Sequence, residues 1–495
     1  MKADFNNSHV AVIGAGPAGL TAAFELAKNG LTLIVLEASP FIGGISRTHV
    51  WNDNHIDIGG HRFLTKSAVV KHLWEEMMDE PMLRVPRLSR IYYKGKFFQY
   101  PLQIGNTLSN LGVIESVRML LSYLYSSIAP IKPEDSFEDW VRNRFGDRLY
   151  RTFFKTYTEK VWGIPCTEIR ADWAAQRIHG LSFVSAVMNA LRDSGRVKSL
   201  SMTFDYPRLG PGMLWESAAG KIEKMGGTVI REASVKRLHH FEGRVTALDF
   251  EHEGKTHTIH PNQVISSMPI STLTKILDPA PPEIVINSAS GLKYRDFLIV
   301  ALACSKPDVF PDNWIYIHSP DVRVGRIQNF RNWSPHMVAP DNETTLGMEY
   351  FCSRGDDLWT RSDTDLITLA KKEISSLGLI AESALGEGFV IRELNAYPVY
   401  DAEYKAHVDT LRAYYTTFAN LQTVGRNGMH RYNNQDHSML AGHHAALRLL
   451  GRPELDPWEV NTERSYYEEQ ILNSDERHKA TAILAAEITM PHEKS

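Results

Sequence analysis

The chain has 495 residues, 43% hydrophobic and 23% charged, a globular composition with length enough for two or three lobes. A net charge of -4 excludes the global basic field that recruits nucleic acid. The three cysteines, Cys166, Cys304 and Cys352, are too scattered for a disulfide framework or a metal site, so free thiols in a reducing, cytoplasmic compartment are expected.

Residues 10–13 read as a short apolar strand, 17–28 as a helix and 31–36 as a second strand ending at Glu37, together a βαβ unit. Strand and helix are joined by Gly14-Ala15-Gly16-Pro17-Ala18-Gly19, a G-x-G-x-x-G loop. Gly14 permits the tight turn, Gly16 lets the backbone approach a pyrophosphate, and Gly19 allows close helix–strand packing. The phosphate then lies at the positive end of the helix. Glu37, 18 residues past Gly19 (37 − 19), is placed to accept hydrogen bonds from ribose hydroxyls, and an acid there disfavours a 2′-phosphate. The same glycines, with Glu25, break the apolar run 10–26 too early for an export signal. No run of about 18 apolar residues exists, so no transmembrane helix is expected.

A second glycine cluster follows in Phe41-Ile42-Gly43-Gly44-Ile45-Ser46-Arg47-Thr48, where the glycine pair runs close to the pyrophosphate and Arg47 can neutralise it. Asp57-Ile58-Gly59-Gly60-His61 suggests a flexible loop against a flat ligand. Residues 90–100 read as a hairpin around Lys94-Gly95. The apolar stretch 119–128 is too short to span a bilayer and is expected to form a buried or interlobe helix rather than a membrane-surface one. Residues 136–160 read as mostly helical with Ser136 as cap, and 214–225 as a helix closed by Gly226-Gly227. Short strands are expected across 228–268, then at 297–303, 314–317, 324–330, 345–352 and 422–424. The polar block from Gly425 to Ser438 lies between that last strand and a helix over about 435–450, so its amides are placed to meet an anion or the edge of a flat ring.

The expected fold is therefore α/β. A discontinuous Rossmann-type domain takes residues 1–85, 205–285 and 415–450, with a helical lobe at 105–204. An antiparallel-sheet substrate lobe takes 86–104 and 286–414, and a helical tail 451–495. With one G-x-G-x-x-G only, there is no second such domain for a nicotinamide.

The second glycine cluster resembles the signature of FAD-binding proteins that include amine oxidases, protoporphyrinogen oxidase and UDP-galactopyranose mutase. Over most of its length the chain resembles that mutase, especially the longer eukaryotic type, and bacterial flavoproteins described as mutase-like or protoporphyrinogen-oxidase-like. The matching pieces run in order: Gly59-Gly60-His61, Arg87-Leu88-Ser89-Arg90 leading to Tyr100-Pro101, and Ser136-Phe137-Glu138-Asp139-Trp140. Then come Lys160-Val161-Trp162-Gly163-Ile164-Pro165, Trp173 with Arg177, Asn313-Trp314-Ile315-Tyr316, Arg326, Asn332-Trp333-Ser334-Pro335, Tyr397-Pro398, and the block from Gly425-Arg426 to Ser438.

The resemblance implies non-covalent FAD held by Gly14, Gly16, Gly19, Glu37, Gly43, Gly44, Arg47, Gly60, His61, Val235, Gly425, Arg426, Gln435, Asp436 and Ser438, and no metal. It places Arg177 and Arg326 on a substrate diphosphate, which suits a rigid guanidinium fork. Tyr397, Tyr432 and Asn434 stand nearby, Trp162, Trp314 and Tyr316 line a sugar pocket, and the Gly59-Gly60-His61 backbone faces flavin N5. The implied reaction is pyranose/furanose ring isomerisation of a nucleotide-diphosphate sugar through a reduced-flavin N5 adduct, with NAD(P)H as a possible external reductant. The chain departs from the eukaryotic pattern at Thr158, where that family has asparagine, at Trp333, where it has tyrosine, and in a shorter loop between Tyr432 and Asn434. The alternative is an oxidase or desaturase resembling protoporphyrinogen oxidase or the amine oxidases.

Overall fold

The structure is a computed structural model that describes residues 9–171 except 101 and 103, 197–340 except 201 and 202, 343–461, and 469–472. Its centre is a parallel sheet whose strands come from distant parts of the chain, in the order Thr228–Ile230, Leu33–Leu36, Val10–Ile13, Gln263–Ser266 and Leu421–Thr423. Val10–Ile13 and Leu33–Leu36 are buried along their whole length, which is why both read as continuous apolar runs rather than alternating ones. Helix Pro17–Lys28 starts on a proline, whose missing N–H is no loss at a helix start, and packs against helices Gly212–Lys224 and Gln435–Leu449. The contact with Gln435–Leu449 depends on Gly442, where a Cβ would lie 2.0 Å from the Ala18 carbonyl oxygen.

A seven-stranded sheet forms the second layer, in the order Leu385–Pro398, Tyr294–Cys304, Thr344–Cys352, Arg326–Asn329, Trp314–Ile317, Ser89–Tyr93 and Lys96–Gln99. The last two strands form the expected hairpin, with Lys94 and Gly95 at positive φ. The sheet is mixed rather than antiparallel: Trp314–Ile317 pairs with Ser89–Tyr93 in parallel, because that strand joins from a segment far earlier in the chain. Leu385–Pro398 was not expected, since Gly386, Gly388 and the charges at Glu387, Arg392 and Glu393 obscure its alternation.

The helices of residues 104–162 pack on one another and on the seven-stranded sheet, Ile104–Leu111 against Lys96–Gln99 and Thr156–Trp162 against Thr344–Cys352. Ser136 caps Phe137–Phe145 through a reciprocal capping box with Asp139. Helix Thr156–Trp162 ends at Gly163, which takes φ 68° and so sets the direction of Trp162. The apolar stretch expected to be buried lies in helix Val113–Ile128, and of its side chains only Met119 and Ser126 are buried. The tail expected to be helical holds, among its described residues, a 3-10 turn Pro457–Glu459 and a strand Glu469–Leu472, which pairs with Val197–Leu200.

Candidate functional site

The loop after Val10–Ile13 is held by its own geometry. Gly14 takes φ +93°, and a Cβ on it would meet Ser267 Oγ at 2.4 Å; a Cβ on Gly19 would lie 1.9 Å from Gly14 O. Glu37 accepts from Ala15 N at 2.8 Å and from Ser39 N at 2.9 Å, so its carboxylate fastens the glycine loop while bordering the cavity. That cavity, of about 380 Å³, is also lined by Gly14, Gly16, Gly44, Gly60, His61, Val235, Arg326, Tyr397, Gly425, Arg426, Tyr432, Asn434, Gln435 and Ser438. Gly19, Gly43, Arg47 and Asp436 do not line it.

Arg47 is turned to another task. Its Nη1 donates to Gly44 O at 2.8 Å, its Nε to His49 Nε2 at 3.1 Å, and its Nη2 pairs with Glu393 at 2.5 Å. Glu393, which does border the cavity, thus offsets the charge assigned to the pyrophosphate. Burial pushes the Glu393 carboxyl up against the opposing pull of Arg47.

The far wall carries donors without protein partners. Asn434 precedes helix Gln435–Leu449 but makes no side-chain cap, and its Nδ2 is buried and unpartnered. Gln435 Oε1 accepts from Ser46 Oγ at 2.7 Å, leaving its Nε2 unsatisfied. Arg426 spends Nη1 on Asn433 O at 3.3 Å, while its Nε and Nη2 are buried with no partner. Native interiors satisfy nearly all such groups. Three unsatisfied donor side chains on one wall therefore fit a cofactor or ligand rich in acceptors, as flavin and pyrophosphate are.

Beside that wall stands a cluster of arginine and aromatic rings. Arg426 lies 4.8 Å and 4.2 Å from the ring centres of Tyr397 and Tyr432, which stack on each other at 5.7 Å. Trp162 packs 6.4 Å from Tyr397 and 6.1 Å from Tyr432. Arg326 donates to the Tyr397 hydroxyl at 3.0 Å and forms a buried ion pair with Glu349, which also accepts from Gln328 at 2.7 Å. Lys160 ties helix Thr156–Trp162 to the loop before Arg326, donating to Ser319 O at 2.7 Å and Val324 O at 3.2 Å.

His61 is half-buried at the cavity wall, and its imidazole is pushed down to about 3, chiefly by burial and then by Arg426, so it is neutral near pH 7. Trp314 and Tyr316 form a separate group that does not line the cavity: Trp314 stacks on Trp333 at 5.2 Å and carries Arg62 at 4.3 Å on its ring. Trp333 Nε1 donates to Asn313 O, so the departure from tyrosine adds a hydrogen bond that braces the wall beside Gly60. Trp173 and Arg177 lie outside the described residues. Glu349, Glu393 and Arg62 were not anticipated. Glu349 had a signal: it is the one charged residue in the otherwise apolar or neutral strand Thr344–Cys352.

A parallel sheet with a glycine loop at its carboxyl edge, an acid at the end of the second strand and an acceptor-seeking wall defines a dinucleotide-binding flavoprotein. Residues 17–407 match the family model described as flavin containing amine oxidoreductase, and the chain belongs to that family. A probable UDP-galactopyranose mutase of Klebsiella pneumoniae is 28% identical over 177 residues, which cover 34% of this chain and 44% of the relative. The aligned stretch thus spans less than half of that protein. A structure of reduced UDP-galactopyranose mutase superimposes with TM-score 0.78 at 20% identity, covering 93% of this chain and all of the other. A cofactor-binding variant of putrescine oxidase superimposes with TM-score 0.60 at 17% identity over 90% and 99% of the two chains. The fold is thus common to enzymes of both kinds.

Proposed function

We propose that the chain is a mutase-like flavoenzyme acting on a nucleotide-diphosphate sugar, with residues 1–85, 205–285 and 415–450 forming its cofactor half. One observation carries this reading. Arg426, half-buried beside the glycine-loop cavity, has two buried, unpartnered N–H-bearing nitrogens and no carboxylate against it among the described residues. An amine substrate, as its cation, would be repelled there, whereas phosphate oxygens would supply the missing acceptors. Arg326 adds a second fork on the same wall, braced by Glu349 and Tyr397. The likeness to UDP-galactopyranose mutase supports the same substrate class.

A bound reduced flavin would supply nucleophilic, redox-neutral chemistry at the sugar's anomeric carbon, with no net consumption of oxidant. The chain's own part is to orient the sugar and neutralise the departing diphosphate. The stacked Tyr397 and Tyr432 rings both flank the Arg426 fork, and His61, being neutral, adds no charge of its own. The test is anaerobic incubation of dithionite-reduced protein with UDP- and GDP-sugars. Ring-isomerised product, with oxidised enzyme inert, is the expected result. Stoichiometric peroxide, with bleaching of the oxidised flavin by an amine or other reductant substrate, would overturn it.

A further inference from the structure

Helix Val113–Ile128 is docked with most of its large apolar side chains outward. A surface helix ordinarily turns its apolar stripe to the core and its polar side to water. Here the inward side carries Met119 beside serines. Ser122 Oγ accepts from Arg148 N at 3.0 Å, Ser126 is buried, and the Ser122–Tyr123 backbone lies so close to Gly146 that a Cβ there would meet Tyr123 N at 2.7 Å. That backbone contact fixes the helix in place. Its outer face holds half of the large apolar side chains left exposed among the described residues, each between 45% and 84% exposed. Together they present on the order of 800 Å², the share that one partner of a stable complex contributes.

The pattern of the face indicates what covers it. A two-fold axis passing between Leu120 and Leu121 exchanges Val113 with Ile128, Val117 with Leu124, and Leu120 with Leu121, six of the eight exposed apolar side chains; Ile114 and Tyr125 fall opposite Ser127 and Ser116. Such a face complements itself when two copies pack antiparallel, as a two-fold interface requires. The charges of the helix are already spent: Glu115 pairs with Arg118 at 2.8 Å and with Arg148 at 2.9 Å. The one basic side chain on the helix itself, Arg118, is the one already paired with Glu115. We infer that this face is a homodimer interface, built by antiparallel packing of Val113–Ile128 from two copies of the chain.

The test uses the full-length flavoprotein. Light scattering on the eluting protein at ~10 µM should give a dimer. Leu121→Asp combined with Leu124→Asp should raise the dissociation constant at least ~100-fold, leaving monomer with an unchanged flavin-to-protein absorbance ratio. Independently of that variant's folding, Leu121→Cys should oxidise to a covalent dimer, while Ile284→Cys, exposed elsewhere, should not; the three native cysteines are buried. A monomeric wild type would overturn the inference. So would a dimer that the charged variant retains, absence of the Leu121→Cys cross-link, or sedimentation with phosphatidylcholine vesicles in place of self-association.

Discussion

Arg326 illustrates how much a single side chain hides from the sequence. It was singled out by resemblance as a diphosphate ligand, and it does line the cavity, but it also holds a buried carboxylate that no motif announced. Truncating it should therefore do two separable things. Arg326→Ala strands the Glu349 charge in the interior and should lower unfolding free energy by about 3 kcal/mol. Adding Glu349→Gln should restore most of that stability, since the stranded group becomes neutral. If Arg326 contacts a diphosphate, UDP affinity should stay about 10- to 100-fold weaker in both variants. Urea melts and UDP titration of the pair decide; a double mutant that regains full UDP affinity would assign Arg326 a purely structural role. Arg426 should behave differently. Because no carboxylate depends on it, Arg426→Gln should leave the urea midpoint nearly unchanged while weakening UDP or flavin binding about 10-fold or more. A large loss of stability with unaltered ligand binding would count against a ligand-facing Arg426. The Gly14–Gly19 loop and Glu37 were legible because backbone chemistry dictates their spacing. Glu349 and Glu393 were not, because ion pairs between strands far apart in sequence leave no spacing to read.

At the scale of elements, the sequence revealed what local periodicity encodes. The first βαβ unit, the Lys94-Gly95 hairpin and the Ser136 cap appear where turn chemistry and capping place them. Strand Leu385–Pro398 escaped because its glycines interrupt the pattern, and tertiary pairing with Tyr294–Cys304 supplies what local preference lacks. The orientation of Val113–Ile128 is not legible in the sequence, because amphipathicity reports that a helix has an apolar face, never what that face meets. Helix Gln435–Leu449 depends on one residue for its approach to Pro17–Lys28. Gly442→Val would force methyl groups into the Ala18 backbone and should lower stability by about 3 kcal/mol, displacing Asn434 and Gln435 at the helix start. Loss of flavin from the purified variant, compared with Gly220→Ala in an uncrowded helix position, measures this. Equal flavin content in both would show that the crossing tolerates a wider separation.

At the scale of the molecule, burial sets the response to acid. His61 and His318 are pushed down to about 3 and His430 to about 4, in each case chiefly by burial, so the native state refuses protons that the unfolded chain accepts below pH ~6.5. Their stabilising contribution is complete above that pH and is lost as pH falls toward 4, by up to about 1.4 kcal/mol per pH unit for each histidine. Asp57, pushed up to about 7 by burial, acts in the opposite sense, its contribution fading as pH rises from ~3.8 to 7. Three groups against one predict a lower urea midpoint at pH 5.0 than at pH 7.5. Equal midpoints would mean that these histidines reach solvent.

The order of strands in the parallel sheet has a bearing on synthesis. Val10–Ile13 pairs with Gln263–Ser266, and that strand waits for Leu421–Thr423. The glycine loop is made 406 residues (425 − 19) before the start of the wall that faces it, Gly425 to Ser438. Contacts so distant in sequence form slowly. Until that wall is made the nascent chain holds half a cradle, so firm retention of flavin is expected only after the wall has closed. Ligand present at that moment draws the equilibrium toward the native state by mass action. Riboflavin-starved cells should therefore accumulate this chain in the insoluble fraction at unchanged synthesis rate, and resupply should rescue newly made chains rather than those already aggregated.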